Sequence, residues 1–134
     1  MDAEEFRAAL ERALAEADSD ERIGPLICAT SMRMRFVFGD VGLQLNLAAF
    51  ADDQRLSWSF GAVAWEPKLI LAMDSDVANR YLLGQENLAI GVARGQVKVR
   101  GDSRAALLYL PAARLISEPY RRVVESTFPA LAAA

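Results

Sequence analysis

Apolar positions change their spacing along this chain, and each change marks a new element. Residues 3–17 carry Phe6, Leu10, Leu14 and Ala17 at the spacing of one helix face, with Asp2 and Glu5 arranged ahead of them like a capping box. That pattern predicts an amphipathic first helix. Residues 18–32 keep no period and contain Gly24 and Pro25, so they read as a connection with room for one short helical turn. From residue 33 the period becomes two. Met34, Phe36 and Phe38 alternate with Arg33 and Arg35; Leu43, Leu45 and Leu47 alternate with Gln44 and Asn46; Leu56, Trp58 and Phe60 alternate with Arg55, Ser57 and Ser59. These are three half-buried strands. Gly39-Asp40-Val41-Gly42 suits a tight hairpin and Asp52-Asp53-Gln54 supplies the next turn, which predicts an antiparallel meander. A fourth strand is expected over 68–73, after a looser connection at 62–66, with Leu69, Leu71 and Met73 on one face.

At Met73-Asp74-Ser75-Asp76 the period turns helical, with acidic and hydroxyl groups placed to cap the new helix and Gly84 placed to stop it. Val77, Tyr81 and Leu82 form its apolar face. A second short helix over 86–93, ended by Gly95, presents Leu88, Ile90 and Val92, and a last strand at 96–100 presents Val97 and Val99. Gly101 and Asp102 open a helix through Ala105, Leu107 and Leu108 that Pro111 should bend or break. Pro119 is expected at the first position of a final helix carrying Tyr120, Val123 and Val124 toward Phe128. The expected architecture is a single α+β domain over 1–134. It has a five-stranded, mostly antiparallel sheet with helices on one face, in the order α-ββββ-αα-β-α, and residues 111–134 form a C-terminal helical extension. The sheet's other face should be polar.

Composition narrows what such a domain can do. The chain has 134 residues, 53% hydrophobic and 25% charged, enough for one core with a modest cavity inside it. Its formal net charge is −3, the acids gather in the first 21 residues and the cations are spread thinly, so no nucleic-acid partner is expected. No apolar run approaches membrane-span length, and the acidic start MDAEEFRAALERALAEAD is unlike a secretory signal. One cysteine, Cys28, excludes an internal disulfide and fits a cytoplasmic location.

The absence of histidine removes the commonest general base and metal ligand. Cys28 has no imidazole to activate it and reads as a small buried hydrophobe. The pairs Asp74 with Asp76 and Asp52 with Asp53 read as a helix cap and a polar turn, and no phosphate-binding glycine loop occurs. Tyr81, Tyr109 and Asp102 remain as polar side chains for an enzyme, with no evident base beside them. The expectation is therefore no catalytic residue, no metal and no cofactor.

What stands out instead is the bulk of the inward residues: Met34, Phe36, Phe38, Leu45, Leu47, Trp58, Phe60, Leu71 and Met73. One reading is ordinary core. The other is the wall of an apolar pocket, because short helices at 75–83 and 86–93 leave volume over a sheet of this width. Tyr81, Leu82, Leu88, Ile90, Val97, Leu107 and Leu108 would complete that wall, and Met32, Met34 and Met73 would let it adapt.

The order of three segments carries a resemblance. Pro67-Lys68-Leu69-Ile70-Leu71-Ala72-Met73-Asp74-Ser75-Asp76 is followed by Gly84 with Asn87-Leu88-Ala89-Ile90. Then comes Ala93-Arg94-Gly95-Gln96-Val97-Lys98-Val99-Arg100-Gly101-Asp102. In that order and spacing they resemble the sterol carrier protein 2 family, where a Gly-Lys-Leu-Lys-Ile-Lys-Gly-Asp-like strand leads to the last helix. The hairpin at 34–47 is also similar, so the resemblance extends from about residue 33 to 110. It implies an α/β sandwich with a hydrophobic tunnel for a fatty acid, acyl-coenzyme A, sterol or isoprenoid, and a carrier or ligand-binding role. A second role is an accessory or dimerising subunit that presents a hydrophobic intermediate to a partner enzyme. Two departures follow. Residues 111–134 exceed the family's usual ending and would cap the tunnel, fill it or make a dimer contact. The ending Leu131-Ala132-Ala133-Ala134 is not a peroxisomal Ser-Lys-Leu signal.

Overall fold

A computed structural model describes residues 1–50 and 54–132; Asp52 and Asp53 of the expected turn lie outside them. Helix α1, Ala3–Ser19, begins where the Asp2 carboxylate accepts the backbone N–H groups of Glu4 and Glu5 at 2.9 and 3.1 Å. Its stripe of Phe6, Ala9, Leu10, Ala13, Leu14 and Ala17 is buried. At its far end Asp18 accepts the Arg55 guanidinium and the Leu56 N–H, at 2.7 and 2.8 Å, and ties the helix to the sheet edge. The single turn expected after it is α2, Ile23–Cys28.

Strands β1, Arg33–Phe38, β2, Leu43–Phe50, and β3, Arg55–Ser59, form the antiparallel meander. Register sets Met34 opposite Leu47, Phe36 opposite Leu45, and Leu47 opposite Trp58, so the bulky alternation of all three strands shares one face. Strand β4, Leu69–Met73, does not extend the meander. It lies parallel to β1, with Phe36 opposite Leu71, and β5, Val97–Gly101, pairs antiparallel beyond it, giving the order β3-β2-β1-β4-β5. A parallel pair needs a crossover, and the segment at 60–68 provides it. Asn46, which alternation turns to the polar face, is 1% exposed; it donates to the Gly61 carbonyl at 2.8 Å and accepts from Arg35 Nε at 2.7 Å. The exchange sets the apolar strand β4 beside β1 under the helices.

Helix α3, Ser75–Leu82, corrects the expected cap. Asp74 occupies the N-cap position but its side chain makes no capping bond; Asp40, from the β1–β2 turn, accepts both the Ser75 N–H and hydroxyl at 2.7 Å. Helix α4, Leu88–Ala93, is capped by Asn87 and lays Gly91 on Val97 of β5. Helix α5, Ser103–Ala113, starts at Asp102 and runs through Pro111 unbroken. The carbonyl that proline leaves unmatched belongs to Leu107, a residue open to solvent, so the helix continues into a 3₁₀ turn, Arg114–Ile116. In α6, Ser117–Thr127, Pro119 is the third residue rather than the first, and α7, Pro129–Ala132, follows.

Residues 111–132 share the core. Tyr120, Val123 and Val124 are buried with Phe6 and Leu14 in one cluster. The Tyr120 hydroxyl donates to the Asn79 side-chain oxygen at 2.6 Å, and the Asn79 amide donates to the Leu131 carbonyl at 2.8 Å. Burial drives the Tyr120 phenol far above its ordinary value, so it stays a donor. Three segments distant in sequence are thus joined by a satisfied buried network.

Candidate ligand pocket

Between sheet and helices lies a cavity of about 30 Å³, little more than one water-sized sphere. Leu10 and Leu14 of α1 form one side. Phe36, Phe38, Leu45 and Met73 form the sheet floor. Ala78, Tyr81 and Leu82 of α3, with Ala113 at the end of α5 and Ile116 of the 3₁₀ turn after it, line the remainder. Its position follows from local structure. Alternation sends the β1 aromatics to the helix side, the α1 stripe reaches down to them, and Asp40 holds the α3 start beside the β1–β2 turn.

Phe36 reveals how the helices fit. On the same strand face Met34 is 0% and Phe38 2% exposed, yet Phe36 between them is only half-buried, although its strand is the centre of the sheet. Phe38 is held edge-on by Phe6, ring centres 5.0 Å apart, while Phe36 stacks on Phe38 at 6.2 Å and looks into the cavity. Tyr81 and Leu82, both half-buried, sit at the rim. Burial raises the Tyr81 phenol above its ordinary value, against a smaller opposing effect of the Arg114 charge, so the hydroxyl stays neutral.

Of the expected wall residues, the structure brings Phe36, Phe38, Leu45, Met73, Tyr81 and Leu82 onto the cavity. Met34, Leu47, Leu71 and Val97 are buried in the surrounding core. Trp58, Phe60 and Leu88 pack half-buried at its margin, and the Arg7 guanidinium lies 4.7 Å over the Phe60 ring. Ile90, Leu107 and Leu108 point to solvent, at 47, 79 and 57% exposure, and do not meet the others. Alternation had identified the sheet floor, but the roof residues Leu10, Leu14, Ala78, Ala113 and Ile116 were missed. The signal for Leu10 and Leu14 was the helical stripe of 6–17, for Ala78 the helix after Asp74, and for Ala113 and Ile116 the segment beyond Pro111. The space expected as a tunnel is a small pocket of about 30 Å³ in the structure, with Leu10, Leu14 and Ile116 among its walls.

A larger dent of about 510 Å³ over Ala15, Glu16, Ser19, Asp20 and Arg122 is open and polar, with no walls to exclude water. Among the described residues no cluster of acids or cysteine has metal-ligand placement, and no helix is long and apolar enough to cross a membrane.

No protein-family model and no curated protein sequence matches the chain. Solved structures do. The ubiquinone synthesis protein UbiJ-SCP2 superposes with a TM-score of 0.62 at 15% identity, covering 88% of this chain and 97% of its own. Sterol carrier protein 2 from Yarrowia lipolytica, in its apo form, gives 0.58 at 14% identity, covering 85% and 88%. The sec-alkylsulfatase Pisa1 from Pseudomonas sp. gives 0.56 at 14% identity over 67% of this chain, which spans only 14% of that enzyme's length. With its crossover to a parallel β1–β4 pair and its helical layer over one sheet face, the chain has the sterol carrier protein 2 fold.

Proposed function

We propose that this chain binds a hydrophobic, lipid-like molecule in the pocket over Phe36, in the cytoplasm, and holds or transfers it without chemical change. The observation that carries the reading is the incompletely buried Phe36 at the centre of a covered sheet face, lining a cavity with apolar walls. A fatty acid, acyl-coenzyme A, sterol or isoprenoid has the shape for such a seam. Its burial would stabilise the complex by roughly 25 cal/mol per Å², less the ordering of chain and side chains. The cavity of about 30 Å³ is a seed for such a ligand rather than its full berth, so entry requires Tyr81 and Leu82 to swing away from the floor. The Tyr81 hydroxyl then offers one hydrogen bond to the ligand's oxygen, and Arg114 favours an anionic head.

Titration of the full chain with a fluorescent long-chain fatty acid, with displacement by unlabelled acid, tests the reading. Saturable, displaceable binding that Ala113→Phe abolishes while the fold persists is expected. No displaceable binding, or binding unchanged in Ala113→Phe, overturns it. A second reading has support in one likeness: the chain covers nearly all of UbiJ-SCP2, a ubiquinone synthesis protein. On that reading the chain is an accessory subunit, dimeric or docked to an enzyme, that presents a hydrophobic intermediate. Native mass spectrometry separates the two, since a monomer retaining lipid favours the carrier and a tight oligomer without ligand favours the accessory subunit.

A further inference from the structure

We infer that the edge of β5 takes an extended acidic segment of a partner protein as a sixth strand of the sheet. Strand β5 ends the order β3-β2-β1-β4-β5, so only one of its sides is paired. Which backbone groups face outward follows from the register. Lys68 and Asp102 stand opposite each other one step beyond the Leu69–Gly101 pair, and the Asp102 N–H donates to the Lys68 carbonyl at 3.0 Å. Bonded pairs alternate in an antiparallel ladder. Arg100 and Lys98 therefore turn their N–H and C=O groups toward Ile70 and Ala72 of β4, and Val97 and Val99 turn theirs away. Among the described residues nothing bonds to Val97 or Val99 on that side. Helix α4 reaches the edge only at its start, where Gly91 lies on Val97, and the strand is exposed from Lys98 to Gly101. At the other edge of the sheet, by contrast, Asp18 accepts the Leu56 N–H of β3 at 2.8 Å.

Side chains specify the occupant. Lys98 and Arg100 share one face of β5, beside Ala72 and Ile70, and the strand beyond presents Val37 and Arg35 in the same two rows. No carboxylate stands in either row, and neither Lys98 nor Arg100 has an ion pair among the described residues. Val99 projects from the other face and is 38% exposed. A strand laid along this edge meets two cations on one face and an apolar side chain on the other, which fits alternating acidic and apolar residues. A second copy of β5 fits poorly. Antiparallel pairing about Val99 would set Lys98 against Arg100 twice, and like charges directly opposite oppose pairing.

Three capped peptides titrated into the full chain test the proposal: one alternating glutamate with valine, one alternating lysine with valine, and the glutamate peptide with its backbone amides methylated. The glutamate peptide is expected to bind and to slow hydrogen exchange at the Val99 N–H, while the other two do not bind. Lys98→Glu with Arg100→Glu should weaken the glutamate peptide by about tenfold and admit the lysine peptide instead. Val99→Pro removes an outward donor without costing the sheet a bond, and should abolish binding in a chain that circular dichroism shows to be folded. Should Val99→Pro not fold, the methylated peptide and the exchange rate decide on the wild-type chain. Absence of binding, or equal binding of the two charges, overturns the proposal. So does binding that leaves exchange at Val99 unchanged, which would be ion pairing with Lys98 and Arg100 alone. A dimer that Val99→Pro dissociates also overturns it and gives the edge to a second copy. These outcomes are independent of whether the pocket accepts a ligand.

Discussion

The Asp40 carboxylate binds Ser75 twice, accepting its N–H and its hydroxyl at 2.7 Å across 35 residues of sequence, and so a hairpin turn caps the helix that roofs the pocket. The N-terminal N–H groups of a helix have no internal partner, and a carboxylate there also faces the positive end of the helix dipole. Asp40→Ala is expected to destabilise the fold by about 1 kcal/mol, and by no more than about 2. Urea denaturation at neutral pH measures the difference. Acid should remove the same contribution. Partial burial pushes the Asp40 carboxyl up, but the Ser75 hydroxyl and N–H outweigh that and hold it below its ordinary value of 3.8. A group lowered on folding stabilises above its unfolded value and loses that effect as pH falls through the folded one. The gap between wild type and Asp40→Ala should therefore hold at neutral pH and shrink below about pH 4. A gap unchanged at acid pH would show that the carboxylate charge contributes nothing.

That contact also explains where sequence reading succeeded and stopped. Period-two alternation is a property of each strand alone, so β1 to β5 and the shared face of Met34, Phe36, Leu45, Trp58 and Leu71 were legible. Strand partners are not local. Nothing at 62–66 announces that β4 passes two strands to lie parallel to β1, and the buried Asn46 that receives the crossover reads as an ordinary polar position in an alternating strand. Asp74 stands at the right place for a cap, and only the folded hairpin shows that Asp40 takes the bonds instead. The same limit shaped the pocket. Sheet residues were found through alternation, whereas Leu107 and Leu108 were assigned to it on apolarity, without the helical phase that turns Ala105, Tyr109 and Ala112 inward and leaves them in solvent.

Two stacked aromatics on one strand should respond unequally to truncation. Phe38 is 2% exposed and held edge-on by Phe6, so Phe38→Ala removes a full complement of packing and should destabilise by about 3–5 kcal/mol. Phe36 faces the cavity and is half-buried, so Phe36→Ala should lose roughly half as much, because fewer contacts vanish and a void already exists beside it. Equilibrium unfolding of both variants provides the comparison. Equal losses would mean that Phe36 is packed as firmly as its neighbour, and the space over it would then be no pocket. If ligand enters there, Phe36→Ala should also change ligand affinity while Phe38→Ala should act through stability alone.

Gly101 is where the last strand hands the chain to α5, and its conformation admits no side chain. Its φ is +128°, and a Cβ built there would stand 2.3 Å from the Lys68 carbonyl oxygen, the atom that accepts the Asp102 N–H at 3.0 Å. Both obstacles are backbone, so a rotamer change cannot relieve them. Gly101→Ala must separate β5 from the start of β4 or abandon the turn, and it is expected to destabilise by about 3 kcal/mol or more. Gly95, with φ +74° and open space around its Cβ direction, isolates the conformational part of that effect. Gly95→Ala should destabilise by only about 1–2 kcal/mol, the strain of a left-handed residue with no clash added. Thermal unfolding of the pair separates the two contributions. If Gly101→Ala were no worse than Gly95→Ala, the close approach of β5 to Lys68 would not exist in the folded protein, and the placement of α5 beside the edge strand would have to be redrawn.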